Sequence, residues 1–403
     1  MRISTSNMFE TSISTLQRRQ QQMQESQQRL TSGKRIQDAS DDPTGAARAE
    51  RALSAIGRID ANQRALEASR NSMTLTEGAL GDATEILQQI RESMMAAGNA
   101  TYTDAERQGL ATKIAGLRDQ LLSIANRPDG GGSFLFAGQG AAEPPFLDQP
   151  GGVRYTGTSG QVQTGNQDRF PLTVDGRAAW EQARSGNGSF VTGALDNSIT
   201  GAPAKSWIDS GRVTDPSLLT GSNYQIQISG SGAGATYTVT DTTSGAVVKT
   251  DSFASGKAIE FDGIAVTLSG SAEDGDQFEI KPATADLKLF DVLDGAIAEL
   301  RQPQRTSAQI AQTNSGRLRD IDAVMGNMQT VRSQVGEALN NLDGSEARMA
   351  ASKLYNQSER SSAEDLDMVQ GISDFQNQQS GYDAALKTYA MVQRMSLFQY
   401  INS

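Results

Sequence analysis

One seven-residue repeat constrains this chain more than any other feature. Between residues 59 and 94, an apolar side chain occupies every seventh position: Ile59, Leu66, Met73, Leu80, Leu87 and Met94. A strict period of seven is typical of coiled coils, whereas the stripe of an ordinary bundle helix drifts toward a period of 3.6. Asp42 is a suitable N-cap and Pro43 a suitable first helical residue. The pattern therefore predicts one long helix from Pro43 to about Ala97.

A second heptad pattern lies near the other end of the chain, after Pro303. Its apolar members are Leu318, Ile321, Met325, Met328, Val335, Leu339 and Leu342. Arg332 is its one polar interruption, and Asp343-Gly344 is a candidate kink. We predict that this second long helix packs with the first, and that the two heptad sets form the core seam of a helical bundle.

Weaker heptads occupy the two chain ends. The N-terminal set is Phe9, Ile13, Leu16, Met23 and Leu30, and the C-terminal set is Ile372, Phe375, Tyr382, Leu386 and Tyr389, followed by Leu397 and Phe398. Gln20, Gln27 and Gln379 fill the remaining seam positions, and a polar seam residue sets register at a cost in stability. We predict that these helices form an assembly interface and gain their stability from neighbouring chains. The alternative for the Gln-rich N-terminal segment alone is a disordered polar tract.

The centre of the chain has the two-residue period of β-strands. Tyr224, Ile226 and Ile228 alternate with polar residues, and Asp262-Gly263 is a hairpin signal between two further alternating runs. Nine of the ten prolines lie between residues 128 and 303. The predicted fold is therefore mainly α, with an antiparallel β domain inserted between helical flanks.

These patterns predict three domains. Residues 1–42 and 355–403 would form a terminal helical domain, residues 43–137 and 286–354 the core of the helical bundle, and residues 138–285 an inserted β domain.

The chain contains neither cysteine nor histidine, and this removes most catalytic chemistry. Disulfides, thiol nucleophiles, triads that contain histidine and Cys/His zinc sites are all excluded. Helix capping explains Asp41-Asp42, and a turn explains Asp274-Gly275-Asp276, which lacks the other ligands of a calcium loop. Ser32-Gly33-Lys34 lacks the upstream glycine of a phosphate-binding loop. We therefore expect no enzyme activity, no cofactor and no metal.

Charge and hydropathy exclude further classes of function. The formal net charge is −11 and lysine and arginine are not clustered, which argues against a nucleic-acid partner. The longest apolar runs span a few residues, far short of the roughly 20 that cross a membrane. The N-terminus has no apolar core of a cleaved signal peptide, so export would require another route.

Three segments resemble the flagellin superfamily. Residues 30–47, with the sequence LTSGKRIQDASDDPTGAA, strongly resemble the N-terminal signature of the family, and residues 133–138 resemble the exit from its N-terminal helical core. Residues 362–401 are similar to the C-terminal helix of its hook-associated members. The resemblance covers about residues 1–140 and 285–403. The opening Met-Arg-Ile-Ser-Thr and the ending Leu-Phe-Gln-Tyr-Ile favour the hook-associated branch over flagellin itself.

The resemblance implies a structural role in the bacterial flagellum. It implies D0- and D1-like helical domains, a D2-like outer β domain, and an adaptor that joins the hook to the filament; the filament subunit is the alternative. The implied partners are further copies of the chain, hook-associated protein 1, flagellin and a flagellar export chaperone, but neither nucleic acid nor membrane. The implied location is the extracellular flagellum, reached through the flagellar type III export apparatus. The rival from another class is an extracellular enzyme on a flagellin scaffold, against which the missing histidines and ligand clusters count.

Overall fold

The computed structural model describes residues 5–99, 101–139, 143–165 and 168–401; the side chains of residues 5–9, 233 and 392–401 lie outside this description. The chain divides into two compact units. One consists of residues 1–64 and 344–403, and the other of residues 65–343. The boundaries of the three predicted domains stay a prediction.

Long helices come from both ends of the chain and β-strands from its centre, which confirms the predicted fold class. The helices are α1 (Thr5–Ser32), α2 (Pro43–Ala97), α3 (Asp104–Ala125), α4 (Gly176–Trp180), α5 (Leu289–Arg301), α6 (Ser307–Glu364) and α7 (Met368–Ile401). The long helix predicted from Pro43 to about Ala97 is α2. Helix α6 runs without a break through Asp343 and Gly344, where a kink was a candidate.

Local hydrogen bonds explain where the helices begin. Asp42 Oδ1 accepts the Gly45 N–H at 2.9 Å, and Asp41 Oδ2 accepts the backbone N–H of Gln37 at 3.1 Å. Backbone N–H donors lower the pKa of both carboxyls, as expected for capping residues. Thr103 and Glu106 form a reciprocal capping box at the start of α3. The acidic pair at 41–42 is therefore structural.

The strands form two larger sheets and one hairpin. They are β1 (Phe146–Gln149), β2 (Gly152–Tyr155), β3 (Phe190–Leu195), β4 (Ser206–Ile208), β5 (Arg212–Val213), β6 (Tyr224–Ser229), β7 (Thr236–Asp241), β8 (Val247–Ser252), β9 (Ala258–Phe261), β10 (Ile264–Gly270) and β11 (Gln277–Pro282). One antiparallel sheet has the order β3-β11-β6-β7-β8, and another has the order β4-β10-β5 with β9 also on β10. Asp262 and Gly263 join β9 to β10 with φ angles of 42° and 74°. These are the positive values that a two-residue hairpin turn of this kind requires.

The chain enters and leaves the region of strands β3 to β11 through two adjacent segments, residues 183–185 and 284–287, which we call the neck. Ala183 pairs with Leu287, the Ser185 N–H donates to Thr284 O at 2.9 Å, and the Thr284 N–H donates to Ser185 Oγ at 2.9 Å. Gln312 on α6 also accepts the Ile208 N–H at 2.8 Å. The two chain segments of the neck are therefore hydrogen-bonded to each other.

A cluster of aromatic side chains forms a second core outside the two larger sheets. Trp180 stacks on Phe290 with ring centroids 6.0 Å apart, and it also contacts Phe136 at 5.4 Å and Phe146 at 6.0 Å. All four rings are almost fully buried. Phe146 and Trp180 therefore pack against Phe290 of α5, although they lie within the segment predicted as the outer β domain.

We expect residues 43–354 to form a stable soluble fragment. The buried heptads of α2 and α6 lie within it, and they should maintain one helical core without α1 and α7. Thermal unfolding of the fragment, compared with the full chain, tests this expectation. A single cooperative transition is the expected result, and a gradual melt would contradict it.

Candidate assembly surfaces

The predicted heptad seam of α2 is buried, and it has a second row that the sequence analysis missed. Leu66, Met73, Leu80, Leu87 and Met94 are almost fully buried, whereas Ile59 is half-buried. Small or polar residues alternate with them at the other seam position: Ser69, Thr76, Ala83 and Ala97, with Ile90 as the one large member; all five are buried. Small residues give a weak hydropathy signal, and this is why only one of the two heptad positions was visible.

The seam of α6 is shifted from the predicted one at alternate positions. Four of the predicted seam residues are buried: Ile321, Met328, Val335 and Leu342. The other three are only half-buried: Leu318, Met325 and Leu339. The structure buries Val324 and Val331 instead. Arg332 therefore lies beside the seam rather than in it, and the interpretation of Arg332 as a lapse in the seam is wrong.

Arg332 belongs to a series of ion pairs between α2 and α6. Its guanidinium contacts Glu77 Oε1 at 2.6 Å. Further pairs in the unit of residues 65–343 are Arg91–Asp322 at 2.6 Å and Arg70–Asp343 at 2.6 Å, and the other unit contains Asp60–Lys353 at 2.7 Å and Arg48–Glu359 at 3.3 Å. Partly exposed pairs contribute little each to stability. Since the sign alternates between successive pairs, their order favours one register of the two helices.

Arg118 forms a buried junction that no sequence pattern indicated. Its guanidinium donates two hydrogen bonds to Asp148, at 2.8 and 2.9 Å, and two to Asp294, at 2.6 and 3.1 Å. It also lies over the Phe290 ring, 5.9 Å from the centroid. These bonds join α3, β1 and α5, and the hydrogen bonds from Arg118 lower the pKa of Asp148.

The two terminal helices pack against each other within their own unit. Gly371 lies so close to Leu30 that a Cβ there would meet it at 3.2 Å, and Gly381 lies against the Arg19 guanidinium. This pairing of low with high residue numbers makes α1 and α7 antiparallel. Of the predicted interface residues, Ile13, Leu16, Met23, Leu30, Phe375, Tyr382 and Tyr389 are half-buried. The side chains of Phe9, Leu397 and Phe398 lie outside the described residues.

Three predicted seam positions of α7 are exposed, and in each case the preceding residue lies in the seam instead. Ile372 and Leu386 are 46% and 41% exposed, and Gln379 is exposed as well. Gly371, Gln378 and Ala385 precede them and are more buried. Small residues allow the two helix backbones to approach, which an analysis based on apolar side chains cannot detect. The apolar positions 372 and 386 are thereby left on the surface.

We expect the terminal helices to exchange amide hydrogens faster than the centre of α2. Their seam contains glycine, glutamine and alanine, so little apolar area offsets a chain entropy of about 1–2 kcal/mol per residue. Hydrogen exchange on the free chain should show rapid exchange across residues 10–30 and 370–390, and slow exchange across residues 66–94. Equal protection in these three stretches would contradict the expectation.

The described residues offer neither a metal-binding cluster nor a membrane-spanning helix. Within those ranges, no group of three or more acidic side chains is arranged to hold a metal ion. The described helices include none that is both long and apolar enough to cross a membrane.

Comparisons with known proteins find similarity to flagellar proteins. A family model for the bacterial flagellin N-terminal helical region matches residues 3–141, and one for the D2-like domain of flagellar hook-associated protein 1 matches residues 195–282. Flagellar hook-associated protein 3 of Salmonella typhimurium is 26% identical over 99% of both chains, and so is that of Escherichia coli K12. The chain is thus similar to members of the flagellin superfamily, and to hook-associated protein 3 along almost its whole length.

Solved structures within the flagellin superfamily agree with this assignment. Flagellar hook-associated protein 3 from Legionella pneumophila has a TM-score of 0.70 and 26% identity, with 77% of this chain and 97% of the other covered. FlgL of Xanthomonas campestris has a TM-score of 0.67 and 28% identity, with 78% and 99% covered. The resemblance of residues 30–47 to the flagellin superfamily signature is thus confirmed, and so is the preference for its hook-associated branch.

Proposed function

We propose that this chain is the structural adaptor that joins the hook to the filament of a bacterial flagellum. The observation that carries the proposal is the length of the match to hook-associated protein 3, which spans 99% of both chains and includes the central β-strands. Flagellins match far less of the chain. Polar flagellin F of Vibrio parahaemolyticus, for example, is 32% identical over 29% of this chain. The filament-subunit alternative is therefore less supported.

The partners and the route follow from this role. The chain would assemble with further copies of itself on hook-associated protein 1, and it would present a surface for flagellin. It would pass through the flagellar type III export apparatus to the cell exterior, with a chaperone on its C-terminal helix until export. The predicted interface residues of α1 and α7 would make the assembly contacts. Apolar side chains that stay exposed on α7, such as Ile372 and Leu386, support this assignment.

Complementation in two flagellated strains tests the function. A strain without its own hook-associated protein 3 should build hooks without filaments and release flagellin into the medium. Expression of this chain should restore attached filaments, which electron microscopy of purified flagella would show. Filaments in a strain that lacks flagellin would instead identify the chain as the filament subunit.

We infer further that the chain is not an enzyme, since its full-length relatives are named as flagellar hook-associated proteins. The rival interpretation places hydrolytic activity in residues 138–285. Assays of the full chain against peptide, glycan and ester substrates would test it. Turnover that persists through purification and is lost on deletion of these residues would overturn the structural assignment.

A further inference from the structure

A notch opens on one side of the α1/α7 pair. It has a volume of about 380 Å³, and its walls include Thr15 and Arg19 on α1 and Gly381, Ala384 and Thr388 on α7. The notch exists because most of its wall side chains are small and cannot fill the space between the helices. Arg19 provides its positive charge, and within the described part of the chain no carboxylate lines it.

A ridge of exposed side chains lies on the other side of α7. At 100° per residue, Ile372, Gln379, Asp383 and Leu386 fall within about 60° of one another around the helix axis. The same geometry places them roughly opposite Gly381, Ala384 and Thr388. Ile372 and Leu386 are 46% and 41% exposed, and Asp383 is exposed one turn before Leu386. The ridge thus combines apolar side chains with one negative charge.

We propose that the ridge of one copy of this chain docks in the notch of the next copy. The proposal rests on the proposed function, which requires self-assembly, and it specifies the surfaces used. Leu386 supplies an apolar side chain for an unfilled space, and Asp383 supplies a carboxylate for Arg19. The notch and ridge lie on opposite sides of one helix pair, so the contact is head-to-tail. Contacts of this type generate rings or helical arrays rather than closed two-fold dimers.

Disulfide crosslinking tests this arrangement directly, because the chain has no native cysteine. Full-length Thr15→Cys and Leu386→Cys are co-expressed in a strain that lacks its own hook-associated protein 3, and the purified flagella are oxidised. A disulfide needs Cα atoms within about 7 Å, so it reports close docking. We expect a crosslinked dimer when both variants are present and none when either variant is expressed alone.

The possible results separate this proposal from the proposed function. If the wild-type chain restores no filaments, the proposed function fails, and this inference fails with it. If filaments form but the mixed variants do not crosslink, the docking arrangement alone is wrong. A dimer formed by Leu386→Cys alone would indicate a two-fold contact and would also overturn the head-to-tail arrangement.

A notch-filling variant gives a second test that does not need crosslinking. Ala384→Met places a long side chain in the notch, and it should abolish filament attachment without lowering the melting temperature of the monomer. Ser380→Met is the matched control, because Ser380 is exposed one turn away on α7 and does not line the notch. Attached filaments with Ala384→Met, at the level seen with Ser380→Met, would contradict the proposal.

Discussion

Replacement of Arg118 by methionine should lower the free energy of unfolding by about 3 kcal/mol, since the carboxylates of Asp148 and Asp294 would lose the positive charge that compensates them. Methionine retains much of the packing volume over Phe290 but cannot bond Asp148 or Asp294. This loss of unfolding free energy is at the lower end of the range for a broken buried ion pair. The reason is that the side chains of Asp148 and Asp294 are 45% and 36% exposed and stay partly hydrated. Urea denaturation of the full chain and the variant measures the difference.

The matched control for Arg118→Met is Arg127→Met. Arg127 also forms an ion pair with an aspartate, Asp82, at 2.8 Å, but both side chains are more than a third exposed. Its loss should change the free energy of unfolding by less than about 1 kcal/mol. Equal effects of the two substitutions would contradict the assignment of Arg118 as a buried junction.

The effect of Arg118→Met should also depend on pH. The Arg118 hydrogen bonds lower the pKa of Asp148 in the folded chain. A carboxyl whose pKa is lower in the folded chain than in the unfolded chain stabilises the fold at a pH above its unfolded pKa of about 3.9. This stabilisation disappears as the pH falls through the folded pKa. The stability difference between the parent and Arg118→Met should therefore be constant near neutral pH and shrink below about pH 4. A difference that grows with acidification would contradict this coupling.

Replacement of Leu80 by aspartate should have the largest effect of any single change considered. Leu80 lies at the centre of the α2 seam and has no exposed surface. A carboxylate there has no partner in the apolar seam, so the free energy of unfolding should fall by more than about 4 kcal/mol. Differential scanning calorimetry should show a melting temperature lower by about 5 °C or more.

Leu75→Asp controls for the loss of a leucine and the gain of a charge in the same helix. Leu75 is 38% exposed, so its carboxylate would remain hydrated and the melting temperature should change little. If Leu80→Asp melts within a degree or two of the parent, the seam is assigned to the wrong face of α2.

The period of apolar residues predicted the long helices well, because burial along a seam repeats in the sequence. Helix α2 has the predicted bounds, and the hairpin at Asp262-Gly263 has the expected turn angles. Positions filled by small residues were not predicted. Gly371 and Ala385 lie in the α7 seam because small residues allow close helix packing, which hydropathy does not record, and Ser69 is buried where its hydroxyl donates to Pro171 O.

Long-range polar contacts were also beyond the sequence analysis. Arg118 finds Asp148 and Asp294 at separations of 30 and 176 residues, and no local pattern links such positions. The same limit applies to Arg332 and Glu77, which are 255 residues apart. The notch on α1 and α7 was missed for a related reason, since an unfilled space results from two distant segments with small side chains.

The neck at Ser185 and Thr284 makes the region of β3 to β11 a replaceable cassette. The chain leaves the helical part and returns to it through two segments that are hydrogen-bonded to each other. A short turn could close this gap at little cost in chain entropy, because the cost of loop closure grows only slowly with loop length. Strands β3 to β11 can thus change in length, shape or surface chemistry while α2 and α6 keep their register. Selection can act on this region without altering the packing of the long helices.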